Sequence, residues 1–450
     1  MKTKNSEGFY QRLFVLVLPI VIQNLITSSV NLADVIMLGQ VDQTSLSASS
    51  LAGQVYFLLD VVYFGLTSAL TILASQYWGK GDAKTLSRIL GIGLIISVFF
   101  STLAALLCGF CPGFVIRIWT NVPELIEAGT RYLRLIALSY FFSGITQPYL
   151  AIIKSCERVR FSTAVSVTAL LLNVFLNALL IFGLSGLPRM GIEGAALATT
   201  ISRGIELVIC LIDFSRQKFL PKSLRNMFSI PRSLVADFVR YSLPAFINDA
   251  MWGLAYNMNS VIMGHLGSDI VAANSVVTVA RDLVTTVGFG TASAASILLG
   301  KEIGENKLEL ARQDAASVLR TTLQISVIQG ILLFLISPFI PGFVRISDTA
   351  VSYLRVMLLI SVVYQVGQMI NTVLIASLFR CGGESRYGMI LDIISMWCVA
   401  VPLGLISAFV LKLPPLAVYA LMCTDEFVKM PFALHHYKKG TWIKNLTREF

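Results

Sequence analysis

Apolar residues fill this chain in long runs, as at 90–107, 166–184 and 323–340. The runs leave no polar face at helical spacing, and they do not alternate with a period of two. The core of a bilayer takes about 20 apolar residues per helical span, and about twelve stretches of that length can be marked along the chain. Backbone polar groups in hydrocarbon must be satisfied internally, so only helices or closed barrels can span. Barrel strands alternate apolar and polar residues, and these runs do not, so the pattern predicts helices. It places them over residues 12–38, 46–77, 86–110, 124–153, 160–183, 191–214, 234–263, 270–300, 308–337, 350–379, 386–410 and 415–436.

The pattern is written twice. Pro19 and Pro244 lie 225 residues apart (244 − 19), and so do Gly39 and Gly264, Ser50 and Ser275, Gly79 and Gly304, and Cys156 and Cys381. Similar text surrounds them, such as "VIMLGQ" against "SVIMGHL". A duplicated apolar chain implies two pseudo-equivalent bundles, an arrangement that transporters use to open alternately to the two sides of a membrane. The expected fold is an all-α integral membrane protein of twelve transmembrane helices in two six-helix lobes. The expected domains are a lobe over 1–214, a cytoplasmic linker over 215–232 and a second lobe over 233–450.

Composition supports the membrane reading. Of 450 residues, 56% are hydrophobic and 13% charged, with mean hydropathy +0.76; soluble domains are about a quarter charged. Net charge is +10, and its placement says more than its size. Lys and Arg gather in alternate loops, for example Lys80, Lys84, Arg88; Lys154, Arg158, Arg160; Arg216, Lys218, Lys222, Arg225; Arg380, Arg386. The intervening loops hold little beyond Arg117, Arg189, Arg345 and Lys412. Basic loops stay cytoplasmic, which places both termini inside a multi-pass protein of the cell membrane. The two halves then share one orientation, a parallel repeat. Charge dispersed over loops at one membrane face does not read as a nucleic-acid surface. The first apolar run is too long for a cleaved signal. The seven cysteines are scattered. With Cys108-x-x-Cys111 the only close pair, neither a metal site nor a cofactor is expected.

Ionisable groups inside spans are costly and face a cavity or a partner. Asp34 lies deep in the first helix. Asn173 and Asn177 share one face of the fifth at i,i+4, and Thr199 sits on the sixth. A carboxylate with amide and hydroxyl oxygens makes a hard-oxygen niche for Na⁺, or an acid that trades a proton. The repeat supplies an internal control. Its second copy has Asn259 for Asp34 and, after a one-residue shift, Val399 and Leu403 for Asn173 and Asn177. The first lobe is therefore the specialised one.

Arg203 and Glu206 can meet at i,i+3 in the sixth helix, as a structural pair or a switching one. Asp249 follows Pro244 in the seventh helix and reads as a cavity acid. Arg281 and Asp282 lie in the eighth. Asp392 is expected to snorkel from the eleventh, and Glu426 with Lys429 to form a structural pair. Asp60 receives no role. Trp252 and Tyr256, with Met251, Tyr140 and Tyr149, can stack against a flat cation.

Several stretches resemble the multidrug and toxic compound extrusion (MATE) transporters: "ADVIMLGQVD", "GLTSALTILASQYWGKGD", "NVFLNALLIFG", "MGIEGAALATTIS", "ILLGKEIGENK" and "MWCVAVPLG". The resemblance runs from about Leu13 to Trp442 in consistent order. It implies export of cationic or amphipathic organic compounds in exchange for Na⁺ or H⁺, by a monomer in contact with membrane lipid. It also implies that Asp34, Asn173, Asn177 and Thr199 line a first-lobe cation or proton site. The fifth-helix position that is often Asp in the family is Asn177 here, which removes one titratable group. Some branches use a seventh-helix Glu where this chain has Trp252. A lipid-linked oligosaccharide flippase of related fold is the alternative; it needs a strongly charged cavity, for which Arg203 and Arg281 are the candidates. A membrane prenyltransferase would need paired Asp-rich motifs for Mg²⁺, and Asn248-Asp249 has no second carboxylate at the right spacing. No P-loop for an ATP-driven pump is present.

Overall fold

The computed structural model describes residues 2–186, 188–343 and 346–449; Arg345 lies outside them. Among the described residues there is no strand, and the expected all-α membrane fold holds. The long helices are α1 (Lys2–Gly39), α2 (Gln43–Lys80), α3 (Ala83–Phe110), α4 (Pro123–Ser155), α5 (Val159–Phe182) and α6 (Gly191–Arg216). They continue with α7 (Arg232–Gly264), α8 (Ser268–Gly304), α9 (Leu308–Ile336), α10 (Asp348–Phe379) and α11 (Ser385–Val410). The last expected helix is interrupted at Cys423 and Thr424, giving α12 (Pro415–Met422) and α13 (Asp425–Lys439). Short helices at Pro112–Arg117 and Leu224–Phe228 were not expected; the second falls in the stretch read as a linker.

Among the described residues, ten helices are long and apolar enough to cross a membrane by length and composition. α7 and the α12–α13 pair fall outside that set. Both carry polar clusters, Asn248-Asp249 with Asn257 and Asn259 in the first, and Asp425, Glu426 and Lys429 in the second. Large apolar side chains such as Phe99, Phe110, Phe175 and Val410 point outward at 60–81% exposure. An apolar exterior of this extent suits hydrocarbon rather than water.

Element ends follow local chemistry. Asp42, exposed between α1 and α2, accepts hydrogen bonds from the Ser45 backbone N–H at 2.6 Å and the Ser45 hydroxyl at 2.8 Å. It thereby caps α2, and the Ser45 N–H holds its carboxyl below the usual range. Gly81, at φ +77°, closes the same helix in the left-handed conformation that glycine tolerates. π-helical turns occupy Val373–Phe379 in α10 and Ile394–Ala400 and Ile406–Val410 in α11. Such turns free backbone groups and re-aim side chains, often beside functional sites.

Contacts divide the chain into two compact units. The amino-terminal unit is Ile22–Asp237. The carboxy-terminal unit is Phe238–Glu449 together with residues up to Val21, so α1 contributes to both. In the first, α4 packs on α2, α3 and α6, and α5 packs on α6. Tyr63, Cys108, Leu133 and Tyr140 belong to one apolar core there. In the second, α10 packs on α8 and α9, around Met263, Leu354, Met357 and Tyr419.

Candidate functional site

In the amino-terminal unit one hydrogen-bonded string joins all four expected coupling residues. The Asn177 amide donates to Asp34 Oδ1 at 2.6 Å and to Asn173 Oδ1 at 3.2 Å. Asn173 donates in turn to Thr199 Oγ1 at 3.1 Å, and Thr199 donates to the Ala195 carbonyl of its own helix at 3.0 Å. The i,i+4 spacing on α5 explains the Asn173–Asn177 contact. The approach of α6 is set by Gly194: a Cβ there would stand 2.7 Å from the Leu180 carbonyl carbon and oxygen. Leu38, Ala48, Ala128, Ile181, Ile192 and Ala195 pack into one apolar cluster where α1, α2, α4, α5 and α6 meet.

Asn177 is 1% exposed, and its Oδ1 has no hydrogen-bond partner. An amide oxygen left bare in a buried site is costly unless something fills the role of donor or cation. Among the described residues no basic side chain pairs with Asp34. The available ligands are a carboxylate, an amide oxygen and a hydroxyl, all hard oxygens of the kind that hold hard cations.

Arg203 and Glu206 meet as their spacing allows, with Nη1 2.8 Å from Oε2 and Glu206 buried. Asp60, unassigned from the sequence, lies close enough to Arg203 for their charges to interact. Tyr149 is engaged elsewhere: its hydroxyl donates to Asp213 at 2.6 Å. Asp213 also receives both Arg158 Nη groups, at 2.8 and 3.0 Å. Arg158, read from the sequence as a loop cation, is thus half of a fixed ion pair and lies over the Phe161 ring at 4.8 Å.

The carboxy-terminal unit has its own polar interior. Trp252, Tyr256 and Arg281 line one cavity of about 60 Å³, together with Asn259, Gln368 and Asp425. Trp252 and Tyr256 stack with centroids 5.7 Å apart. Arg281 stands over the Tyr364 ring at 4.3 Å, within cation–π range. Asn259, the repeat counterpart of Asp34, is therefore brought to a pocket of its own. Asp249 lies outside that lining. Arg380 reaches it with both Nη groups, at 2.6 and 3.1 Å, in a bidentate pair. The sequence placed Arg380 in a cytoplasmic loop; it is instead buried at the end of α10.

Asp392 does not snorkel. It is 7% exposed and accepts from Lys429 Nζ at 2.9 Å and from Asn248 at 3.0 Å. Lys429 also approaches Glu426 at 3.0 Å and Asp425 at 4.0 Å, and Asn371 donates to Glu426 at 2.8 Å. The i,i+3 pair seen in the sequence is one edge of this larger cluster. Asp425 carried a signal, being adjacent to Glu426 and four residues before Lys429, but its approach to the Arg281 cavity depends on the break at Cys423–Thr424.

The comparisons with known proteins agree with this architecture. The MatE family profile matches residues 19–179 and 244–406, one segment in each copy of the repeat. A transporter of Bacillus subtilis (strain 168), YisQ, is 23% identical over 437 residues, covering 96% of this chain and 95% of that protein. The probable multidrug resistance protein NorM of Thermotoga maritima is 25% identical over 455 residues, covering 98% and 95%. Among solved structures, the Vibrio cholerae MATE transporter VcmN in its bent form superposes with a TM-score of 0.87 at 15% identity, covering 98% of this chain and 99% of that one. A profile match over most of the chain, in two segments that fall in register with the repeat, settles the family: the chain belongs to MatE, the multidrug and toxic compound extrusion transporters.

Proposed function

We propose that this transporter is a secondary antiporter that exports cationic and amphipathic organic compounds in exchange for Na⁺ or H⁺. Asp34 takes the coupling ion, with Asn177, Asn173 and Thr199 holding it in place. The observation that carries this reading is the string from Thr199 to Asp34, which ends in a carboxylate partnered by an amide rather than by a basic side chain. A carboxylate locked to Arg or Lys is already neutralised. One facing an amide still gains from a proton or a small cation. Asn177 Oδ1, buried and bare, adds a second oxygen beside it.

The ion can drive transport only by binding the two access states with different affinity. Binding at Asp34 in the outward-open state then favours release of the organic substrate, and by reciprocity the substrate favours release of the ion. Arg281, Trp252 and Tyr256, with their stacked rings and polar rim, supply contacts for a flat organic ion. Arg203 and Glu206 are a separate candidate polar contact within the amino-terminal unit. Asp249 meets substrate only in a state where Arg380 has moved away. The protein resides in the cell membrane with both termini cytoplasmic, in keeping with its basic loops. No observation favours the oligosaccharide flippase, since the arginines it would need stand beside Glu206 and over Tyr364.

Efflux of a fluorescent organic cation from proteoliposomes, under separately imposed Na⁺ and pH gradients, tests the reading. One of the two gradients drives efflux in the wild type, and Asp34→Asn loses the driven component while inserting normally. Wild-type driven efflux in Asp34→Asn would overturn it.

A further inference from the structure

The first half of α1 belongs to the carboxy-terminal unit and the rest to the other. What holds that first half is partly apolar. Phe9, Leu13, Leu16 and Ile20 are 0–5% exposed, and Gly290 of α8 leaves room for Val21, whose Cγ2 would stand 2.6 Å from a Cβ there. The polar hold is Arg12. Its Nη2 lies 3.6 Å from Glu302 Oε1 and 3.7 Å from Asp314 Oδ2. Arg12 is 48% exposed, whereas the two carboxylates are 4% and 8% exposed. Glu302 closes α8 and Asp314 lies in the second turn of α9, joined by a tight turn with Asn306 at φ +62°.

Glu302 and Asp314 are within hydrogen-bond reach of one another. Neither Glu302 oxygen, nor Asp314 Oδ2, receives a hydrogen bond from a donor. Two carboxyls this close share a proton, because both cannot ionise at small cost. The shared proton leaves one negative charge, which Arg12 balances. Other groups facing Glu302 are Glu305 of the turn and the Cys381 thiol after α10. Lys301 and Lys307 approach Glu305, at 4.0 and 2.5 Å.

We propose that Glu302 and Asp314 are a proton-binding site whose occupancy sets the grip on the first half of α1 through Arg12. With one proton between them the pair holds the guanidinium. A second proton removes the remaining anion, Arg12 loses its partner, and residues 8–21 loosen. Acid at the end of the protein that carries the basic loops therefore frees α1. The same helix bears Asp34, 22 residues further on (34 − 12). The latch does not depend on Asp34 binding an ion.

Backbone hydrogen exchange of residues 8–21, measured on the full chain in lipid nanodiscs, reads the grip directly. After correction for intrinsic chemistry, wild-type protection falls about fivefold as pH drops from about 8 to about 5. Glu302→Gln removes the shared proton and leaves Asp314 as the one carboxyl facing Arg12, so the wild-type pH response of protection is lost. Arg12→Gln, at a half-exposed position that tolerates replacement, has low protection at both pH values. Flat protection in the wild type, or a wild-type response in Glu302→Gln or Arg12→Gln, overturns the proposal. Asp34→Asn keeps the response, so the latch and the ion-coupling reading fail separately.

Discussion

Asn177 shows how much one side chain decides. Its amide donates to both Asp34 and Asn173 and leaves its own oxygen bare. An acid at this position would stand against Asp34 at hydrogen-bond distance, and the two would share a proton. Asn177→Asp should therefore shift the pH profile of efflux; an unchanged profile in proteoliposomes would remove Asn177 from the border of the site. Asp42 acts on stability instead. Its carboxylate caps α2 and titrates below its unfolded range, so the stabilisation is present at neutral pH and lost as pH falls through the folded-state value. Asp42→Ala should cost about 1 kcal/mol, seen as a lower melting temperature at pH 7 and a smaller difference from wild type in acid. The i,i+4 relation of Asn173 and Asn177 was legible in the sequence. Their meeting with Asp34, 143 residues before Asn177, was expected from the family resemblance and not from hydropathy, which does not say how a helix is rotated about its axis.

Elements were legible to the extent that lipid dictates them. Among the described residues, ten of the expected spans appear as helices that meet the length and hydropathy of a crossing. The misses fall where polar residues override that pattern. The last expected helix breaks at Cys423–Thr424, and the break carries Asp425 to the Arg281 cavity while Glu426 and Lys429 turn to Asn371 and Asp392. The π turns in α10 and α11 have no periodic signature either, since one extra residue per turn barely alters an all-apolar run. Close packing of elements is set by single small residues. At Gly194 any Cβ meets the α5 backbone at Leu180 and Ile181. Gly194→Ala should cost about 1–3 kcal/mol by overpacking and push Thr199 away from Asn173. A fall in melting temperature together with weakened ion-dependent stabilisation would check both effects; unaltered stability would show that α6 has room to shift.

At the scale of the whole molecule, buried charges are balanced across helices distant in sequence. Asp249 and Arg380 lie 131 residues apart and form a bidentate pair. Removing one partner of such a pair typically costs about 3–5 kcal/mol, whereas replacing both with apolar groups can cost little. Arg380→Met should therefore destabilise the carboxy-terminal unit strongly, and Arg380→Met with Asp249→Leu should recover most of the loss. Thermal melts of the single and double variants measure this; equal destabilisation in both would show that the pair does not act as a unit.

The sequence by itself determined the membrane class, the helical form and the duplication. These follow from solvent: hydrocarbon demands apolar side chains and internally bonded backbone over a fixed length, and that demand is written locally, residue by residue. Tertiary structure alone decided which ionisable groups are spoken for. Asp249, Asp392 and Arg158 are ion-paired, while Asp34 faces an amide. Pairing depends on helix rotation, on breaks such as the one before Asp425, and on glycine contacts that bring two backbones together, and none of these leaves a mark in the order of apolar and polar residues.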